Sequence, residues 1–203
     1  MTTFYLIRHA TNDFLPHTLA GRKPGVHLNA AGRKEADALA EGLASERIEK
    51  VFSSPLERCR ETAEPVAKVH HLEVQVSHML NEVDFADWTG RKIAELDTMT
   101  EWKQWNVFRS GARVPNGESI LEVQSRVVGF VEQLCRDCPD QRVALVTHGD
   151  PLRTILLYFL GIPPEFIRRI EIDPASVTIL SIDKWDAQVR GVNVRFGMKQ
   201  VRL

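Results

Sequence analysis

The sequence predicts an α/β fold: a three-layer α/β/α sandwich around a mostly parallel, mixed central sheet of about six strands. Three observations lead there. Strand-like runs and amphipathic helical patterns alternate along the chain, which argues for parallel strands covered on both faces. Two apolar runs, Phe4-Tyr5-Leu6-Ile7 and Val143-Ala144-Leu145-Val146, stop abruptly at polar segments that carry His9 and His148. Two more strand patterns close the chain with no helix between them, so a non-parallel strand is expected near the end.

Thr3 to Arg8 reads as the first strand. Gly32 to Leu43 then carries Ala36, Leu39, Ala40 and Leu43 at the i, i+3, i+4, i+7 spacing of an amphipathic helix. Lys50 to Ser54 is a short strand, after which Ser53-Ser54-Pro55 signals a helix over Leu56 to Val69. Leu72 to Val76 alternates as a third strand. The stretch from Met79 to Gly117 holds Trp88, Trp102, Trp105, Phe108, a break at Gly90 and a helix over Lys92 to Val107. It reads as an elaboration on the sheet that could form a lid around residues 79–117. A helix from Glu118 places Ile120, Val123, Val127, Val131 and Leu134 on one face. The His148 strand follows, then a helix over Leu152 to Leu160, a helical turn over Pro163 to Arg168, and strands Val177 to Ile182 and Gln188 to Arg195 that could pair as a hairpin. No repeat, low-complexity tract or Pro/Gly/Ser-rich linker interrupts the chain, so residues 1–203 are expected to form one domain.

Composition narrows the function classes. The 43% apolar and 26% charged shares are those of a globular protein. With 26 Lys and Arg against 27 Asp and Glu, the net charge of −1 supplies no global field for nucleic acid or an anionic membrane, so any anion site must be local. No run reaches the ~18 apolar residues of a membrane span, and no signal-like start is seen, so a cytoplasmic location is expected. Cys59, Cys135 and Cys138 give no disulfide framework. Cys135-Arg136-Asp137-Cys138 spells C-x-x-C, but no second pair or redox setting accompanies it, and two thiols near a helix end are expected. The histidines outside the two strand ends are scattered, so no metal site and no cofactor are expected.

The chemistry gathers at the strand ends. In open α/β sheets, ligands bind beyond the carboxyl ends of the strands. Arg8-His9 and His148-Gly149-Asp150-Pro151 both leave apolar strands there. Gly149 permits close backbone approach, and the following helix amino terminus offers N–H groups to an anion. In the Ser53 to Ala63 segment, Arg58 and Arg60 lie two apart and point in different directions. Arg58 is the one expected to face the site, with Arg60 at the surface. Arginine suits a phosphoryl group because its planar fork donates bidentate hydrogen bonds and stays charged.

With these pieces the sequence resembles the histidine phosphatase superfamily, in its phosphoglycerate-mutase-like branch. The matching motifs, in family order, are Leu6-Ile7-Arg8-His9, Ser53 through Ala63, Leu80-Asn81-Glu82-Val83-Asp84-Phe85-Ala86-Asp87-Trp88-Thr89-Gly90, Pro115-Asn116-Gly117-Glu118-Ser119 and Val146-Thr147-His148-Gly149. The resemblance implies that His9 is the nucleophile, that Arg8, Arg58 and His148 surround the phosphoryl oxygens, and that Glu82 protonates the leaving oxygen and then activates water. Spacing alone does not separate Glu82 from Asp84 or Asp87; the motif selects Glu82. The family usually has Gly where this chain has Ala10 and Ala86, and its polar positions after the histidine fall here on Thr11 and Asn12, both candidates for substrate contact. In the loop Leu19 to Leu28, Gly21 could offer its N–H to phosphate, and Arg22 or Lys23 could meet a second anionic group. Trp102, Trp105, Arg109 and Arg113 could line the pocket from above, although buried packing is the expected role of the tryptophans.

Other phosphate chemistries are excluded by inspection. The chain has no G-x-x-x-x-G-K-[ST] loop, and no cysteine has an arginine six positions later. Within the family, this chain is short after the Glu82 motif, where mutases usually carry a basic insertion. The expectation is therefore a metal-independent phosphomonoesterase acting on a small phosphorylated metabolite. A cofactor-dependent phosphoglycerate mutase and a non-catalytic phospho-ligand binder are the alternatives. Apolar residues in the closing strands could support a homodimer.

Overall fold

The computed structural model describes residues 1–196, so the expected domain 1–203 is followed to residue 196. Six strands form one mixed sheet: β1 (Thr2–Arg8), β2 (Lys50–Ser53), β3 (Val74–Val76), β4 (Arg142–Thr147), β5 (Val177–Ile182) and β6 (Ala187–Val194). Their spatial order is β3-β2-β4-β1-β5-β6. β1 to β4 run parallel, while β5 is antiparallel to β1 and forms the expected hairpin with β6.

Alternation along the central strands builds two apolar layers, because successive side chains point to opposite faces. Phe4 and Leu6 of β1, with Val143 and Leu145 of β4, pack against α5 (Ile120–Asp137) and α6 (Gly149–Phe159). Tyr5 and Ile7, with Ala144 and Val146, pack against α1 (Ala30–Leu43) and α2 (Glu57–Val69). A third cluster joins Trp88, Trp102 and Trp105 to Ile120, Val123 and Leu157, so the tryptophans of the elaboration are chiefly core.

Local capping explains where the elements depart from the sequence reading. Asn29 accepts from Gly32 N–H at 2.9 Å, which starts α1 two residues earlier than apolar spacing suggested. Ser119 and Glu122 make a reciprocal capping box, so α5 starts at Ile120 rather than Glu118. The third strand begins at Val74, since Leu72 N–H still bonds to Ala67 O of α2 at 2.9 Å. The helix expected over Lys92 to Val107 is two pieces, α3 (Ile93–Leu96) and α4 (Thr100–Val107). Between them Thr98 Oγ1 gives to Glu95 O at 2.8 Å, a side-chain-to-backbone bond that competes with continued helix, and Asp97 accepts from the Trp102 indole N–H at 2.9 Å. The three cysteines are free, with Cys135 within α5 and Cys138 at its end. Among the described residues, no helix is long and apolar enough to cross a membrane.

Candidate active site

Sheet order places the two histidines side by side. Arg8 pairs in register with Thr147, so His9 and His148 leave adjacent parallel strands at the same level. His9 N–H bonds to Thr147 O at 2.9 Å, and the two rings meet edge-on with centroids 5.3 Å apart. α6 begins at Gly149, with His148 as its N-cap, three residues earlier than apolar spacing suggested.

His9 is buried and its Nδ1 lies 2.8 Å from Ala10 O. That carbonyl can only accept, so Nδ1 carries the proton and Nε2 keeps its lone pair. Burial, then the charges of Arg58 and Arg8, hold its pKa well below the ordinary histidine value, so the ring is neutral. His148 is also held neutral, by burial first and then by Arg58. Its Nδ1 lies 3.1 Å from Arg58 Nη2 and its Nε2 2.9 Å from Ser54 Oγ. Arg58 must donate, so the His148 proton sits on Nε2 and points to Ser54, which in turn donates to Asn81 Oδ1 at 3.2 Å. His148 thus stands behind Arg58, with both ring nitrogens engaged by protein.

Around His9 lies a cavity of about 170 Å³ lined by Arg8, Asn12, Gly21, Arg58, Glu82, Gly149, Asp150 and Arg153, among others. Arg58 is 1% exposed and anchored through Nη2 to Gly21 O at 2.7 Å, yet its Nε and Nη1 have no hydrogen-bond partner among the described residues. Arg8 is anchored through Nη1 to Ile172 O at 2.6 Å, and its Nε is likewise unpartnered. Asn12 is buried, uses Oδ1 to accept from Phe14 N–H, and leaves Nδ2 without a partner. Buried donors are seldom left unmet, because each costs about 1–3 kcal/mol. Four such donor atoms on three residues lining one small cavity suit an anion with several oxygens.

Glu82 shares that cavity. Burial, reinforced by the negative charge of Asp150, pushes its carboxyl up to about 7, against the pull of Val83 N–H, Arg58 and Arg8. A carboxyl so placed is available as an acid near neutral pH. Its backbone is held from behind: Glu82 O accepts from Arg22 Nε at 2.8 Å and Arg126 Nη2 at 3.1 Å. Glu118 bridges the two arginines, at 2.8 Å to Arg22 Nη2 and 3.0 Å to Arg126 Nε, and takes Asp84 N–H at 3.0 Å. Gly117 lets this bracket close, since a Cβ there would stand 2.2 Å from Asp84 O.

Not every expected contact residue reaches the cavity. Arg22 is committed to Glu82 O and Glu118, and Thr11 turns away to bind Glu35 through both N–H and Oγ1 at 2.9 Å. Gly21 lines the cavity, but the contact it makes is through its carbonyl, to Arg58. Arg113 lies outside, paired with Glu122, and Arg60 is exposed. Ala10 points its methyl into a cluster with Leu28, Ala36 and Ala175, so it does not crowd the cavity. Sequence alone assigns no role to Asp150, Arg153, Glu118 or Arg126; the signal available was the Pro115 to Ser119 motif, which brings Glu118 behind the acid. Among the described residues no group of His, Cys, Asp or Glu is arranged to hold a metal ion.

Known proteins share this architecture. Residues 4–195 match the histidine phosphatase superfamily (branch 1). The chain is 29% identical over 189 residues to phosphoserine phosphatase 1 of Hydrogenobacter thermophilus, covering 91% of this chain and 88% of that protein. It is 30% identical over 182 residues to a "probable phosphoglycerate mutase GpmB" of Proteus mirabilis, covering 88% and 84%. A mycobacterial glucosyl-3-phosphoglycerate phosphatase superposes with a TM-score of 0.84 at 26% identity, covering 94% of this chain and 98% of that one.

Proposed function

The chain belongs to the histidine phosphatase superfamily (branch 1), and from that premise we propose that it is a metal-independent phosphomonoesterase for small phosphorylated metabolites, working as one domain through a phosphohistidine on His9. The observation that carries this reading is one cavity lined by a neutral His9, by Glu82 with a carboxyl near 7, and by the unpartnered donors of Arg8, Arg58 and Asn12. Likeness to a phosphoserine phosphatase and a glucosyl-3-phosphoglycerate phosphatase supports the same reaction class.

In this mechanism His9 Nε2 forms a bond to phosphorus as the ester P–O bond breaks. Protonated Glu82 gives its proton to the leaving oxygen and becomes a carboxylate. Water then attacks phosphorus, passing a proton back to Glu82 while the P–N bond breaks and phosphate is released. Arg8 and Arg58 hold the phosphoryl oxygens throughout, and His148 fixes Arg58. The charge balance suits this chemistry, since Arg8, Arg58 and Arg153 face Asp150 and Glu82 in the cavity. With Glu82 protonated, the excess of two positive charges matches a phosphomonoester dianion. Such fixed charges in a water-poor cavity stabilise the transition state without reorganising.

The test is hydrolysis of p-nitrophenyl phosphate in EDTA by wild type, His9→Ala and Glu82→Gln. The reading expects metal-independent turnover, abolished in H9A and strongly reduced in E82Q. Full activity in H9A, or none in folded wild type, would overturn it. In the second case the likeness to the probable mutase makes 2,3-bisphosphoglycerate-dependent phosphoglycerate isomerisation the next assay.

A further inference from the structure

Arg8 enters the His9 cavity from the end of β1, but its guanidinium is held by a distant loop. Ile172 O accepts from Arg8 Nη1 at 2.6 Å, and two residues earlier Ile170 O accepts from Arg153 Nε at 2.8 Å. Alternate carbonyls of one segment therefore hold two of the arginines that line the cavity. The same segment reaches the nucleophile, since Ala175 N–H gives to Arg8 O at 3.1 Å and to His9 O at 3.4 Å. We infer that Asn193, on β6, is a positioning residue for the phosphoryl group: its carboxamide clasps Asp173 and so fixes the 170–176 loop that aims Arg8. The inference rests on the phosphatase reading above for one point, that Arg8 grips the phosphoryl oxygens.

The clasp has two points. Asn193 Oδ1 accepts from Asp173 N–H at 2.7 Å, and Asn193 Nδ2 gives to Asp173 Oδ2 at 3.2 Å. A backbone N–H can only donate and a carboxylate can only accept, so both bonds fix the carboxamide in the same orientation. Arg195 Nη1 adds a contact to Asp173 Oδ2 at 3.3 Å. Asp173 then passes the constraint along the loop. Its carbonyl accepts from Ser176 N–H at 3.2 Å and from Ser176 Oγ at 2.8 Å, and Ser176 O takes Arg8 N–H at 3.2 Å.

β6 is irregular where it makes this contact. Val177 pairs with Val194 and Ile179 with Gly191, so Val192 and Asn193 together face the single residue Thr178. A bulge of this kind re-aims a side chain. It leaves Asn193 at φ +56°, a left-handed conformation that asparagine adopts more readily than most residues. The other end of the bonded path is strained as well, for Ala175 is buried and holds φ +54°. Residues without a glycine's freedom stay in that region only where their surroundings over-determine them. The path from Asn193 to Arg8 is thus held against its local backbone preference.

Asp173 serves Arg8 by charge too. Burial, and then Arg153, work against the Arg8 cation, while Glu82, Asp150 and Asp173 support it. Glu82 and Asp150 line the cavity where an anion would sit, whereas Asp173 does not. Asp173 therefore steadies the guanidinium from behind without competing with an anion for its free donors.

Asn193→Gly removes the carboxamide but keeps the left-handed backbone, which glycine adopts freely, so it separates the clasp from the bulge. The probe is orthophosphate titrated by calorimetry, with p-nitrophenyl phosphate turnover and thermal melting on the same samples. N193G is expected to melt near wild type, to bind orthophosphate about tenfold or more weakly, and to lose kcat/KM by a similar factor. Asp173→Ala cuts one point of the clasp and should weaken binding in the same direction. Asp173→Asn, which keeps an oxygen for Asn193 Nδ2, should recover most of that loss. Unchanged orthophosphate affinity in folded N193G, or in folded D173A should N193G not fold, would overturn the inference whatever the melting temperature does. Failure of both variants to fold would overturn it too, because the clasp would then serve folding and not the aim of Arg8. Wild type that binds orthophosphate but hydrolyses no ester would remove the phosphatase reading alone, and the binding change in N193G would still decide this inference. Wild type that neither binds orthophosphate nor hydrolyses an ester would remove both.

Discussion

Replacing Glu82 by glutamine should stabilise the protein while disabling it, and the gain should grow with pH. The carboxyl is raised from 4.5 to about 7, chiefly by burial and by Asp150. A carboxyl raised on folding adds no penalty when both states are protonated, below about pH 4.5. The penalty grows as pH climbs towards 7, because the unfolded chain ionises first, and it is fully present above that. At 1.36 kcal/mol per pH unit, the wild-type penalty is about 1 kcal/mol at pH 5 and about 3 kcal/mol at pH 8. Glutamine keeps an acceptor for Val83 N–H, which Glu82 Oε1 takes at 2.9 Å, and removes the charge. E82Q should therefore melt higher than wild type at pH 8, by about 6–12 °C for a chain of this size, and by much less at pH 5. Paired thermal scans from pH 5 to 8 measure this. A melting difference that stays constant with pH, or that favours wild type at pH 8, would refute the assignment of a raised carboxyl to Glu82.

Other expectations follow from the same geometry. With Glu82 as the acid, kcat should fall as pH rises through about 7 and hold on the acid side until His9, whose pKa is depressed, becomes protonated; a pH–rate profile checks the limb, which should vanish in E82Q. Glu118→Gln loosens the Arg22 and Arg126 bracket behind Glu82, so it should lower kcat about tenfold or more with little change in KM and shift the alkaline limb. Ala86 holds φ +41°, where glycine is at ease, so Ala86→Gly should raise stability by about 0.5–1 kcal/mol in denaturant titration. Ala10→Gly removes a buried methyl from a cluster outside the cavity, and should cost about 1 kcal/mol of stability with kcat unchanged.

The sheet and its two covering layers were legible because β1 and β4 are unbroken apolar runs, the mark of strands buried on both faces. Phe4 and Leu6 face one layer and Tyr5 and Ile7 the other, as successive strand side chains must. The residues leaving those strands were legible for the same reason: a base and an imidazole that end an apolar run have nowhere to go but the sheet edge. Less visible were contacts set by long-range packing. Arg22 and Glu118 meet across 96 positions, and no local pattern says that Arg22 is spent on the Glu82 loop rather than on substrate. The same holds for Thr11, whose partner Glu35 lies on α1. The Asp150 ion pair depends on Arg109, which lies just past the end of α4, a helix whose Trp105 is seated in the core. Helix starts moved for a related reason: apolar spacing marks the buried face, whereas caps such as Asn29 and Ser119 decide where the first turn closes.

The central claim is a covalent intermediate on His9, and trapping it is the most direct test. E82Q, impaired in activating water, should be mixed with a good leaving-group ester, quenched in alkali and digested for mass spectrometry. The account predicts one added phosphoryl group on the His9 peptide, stable to base, labile to acid and absent when His9 is alanine. Substrate turnover with no adduct on His9, or a phosphoryl group found on another residue, would contradict it.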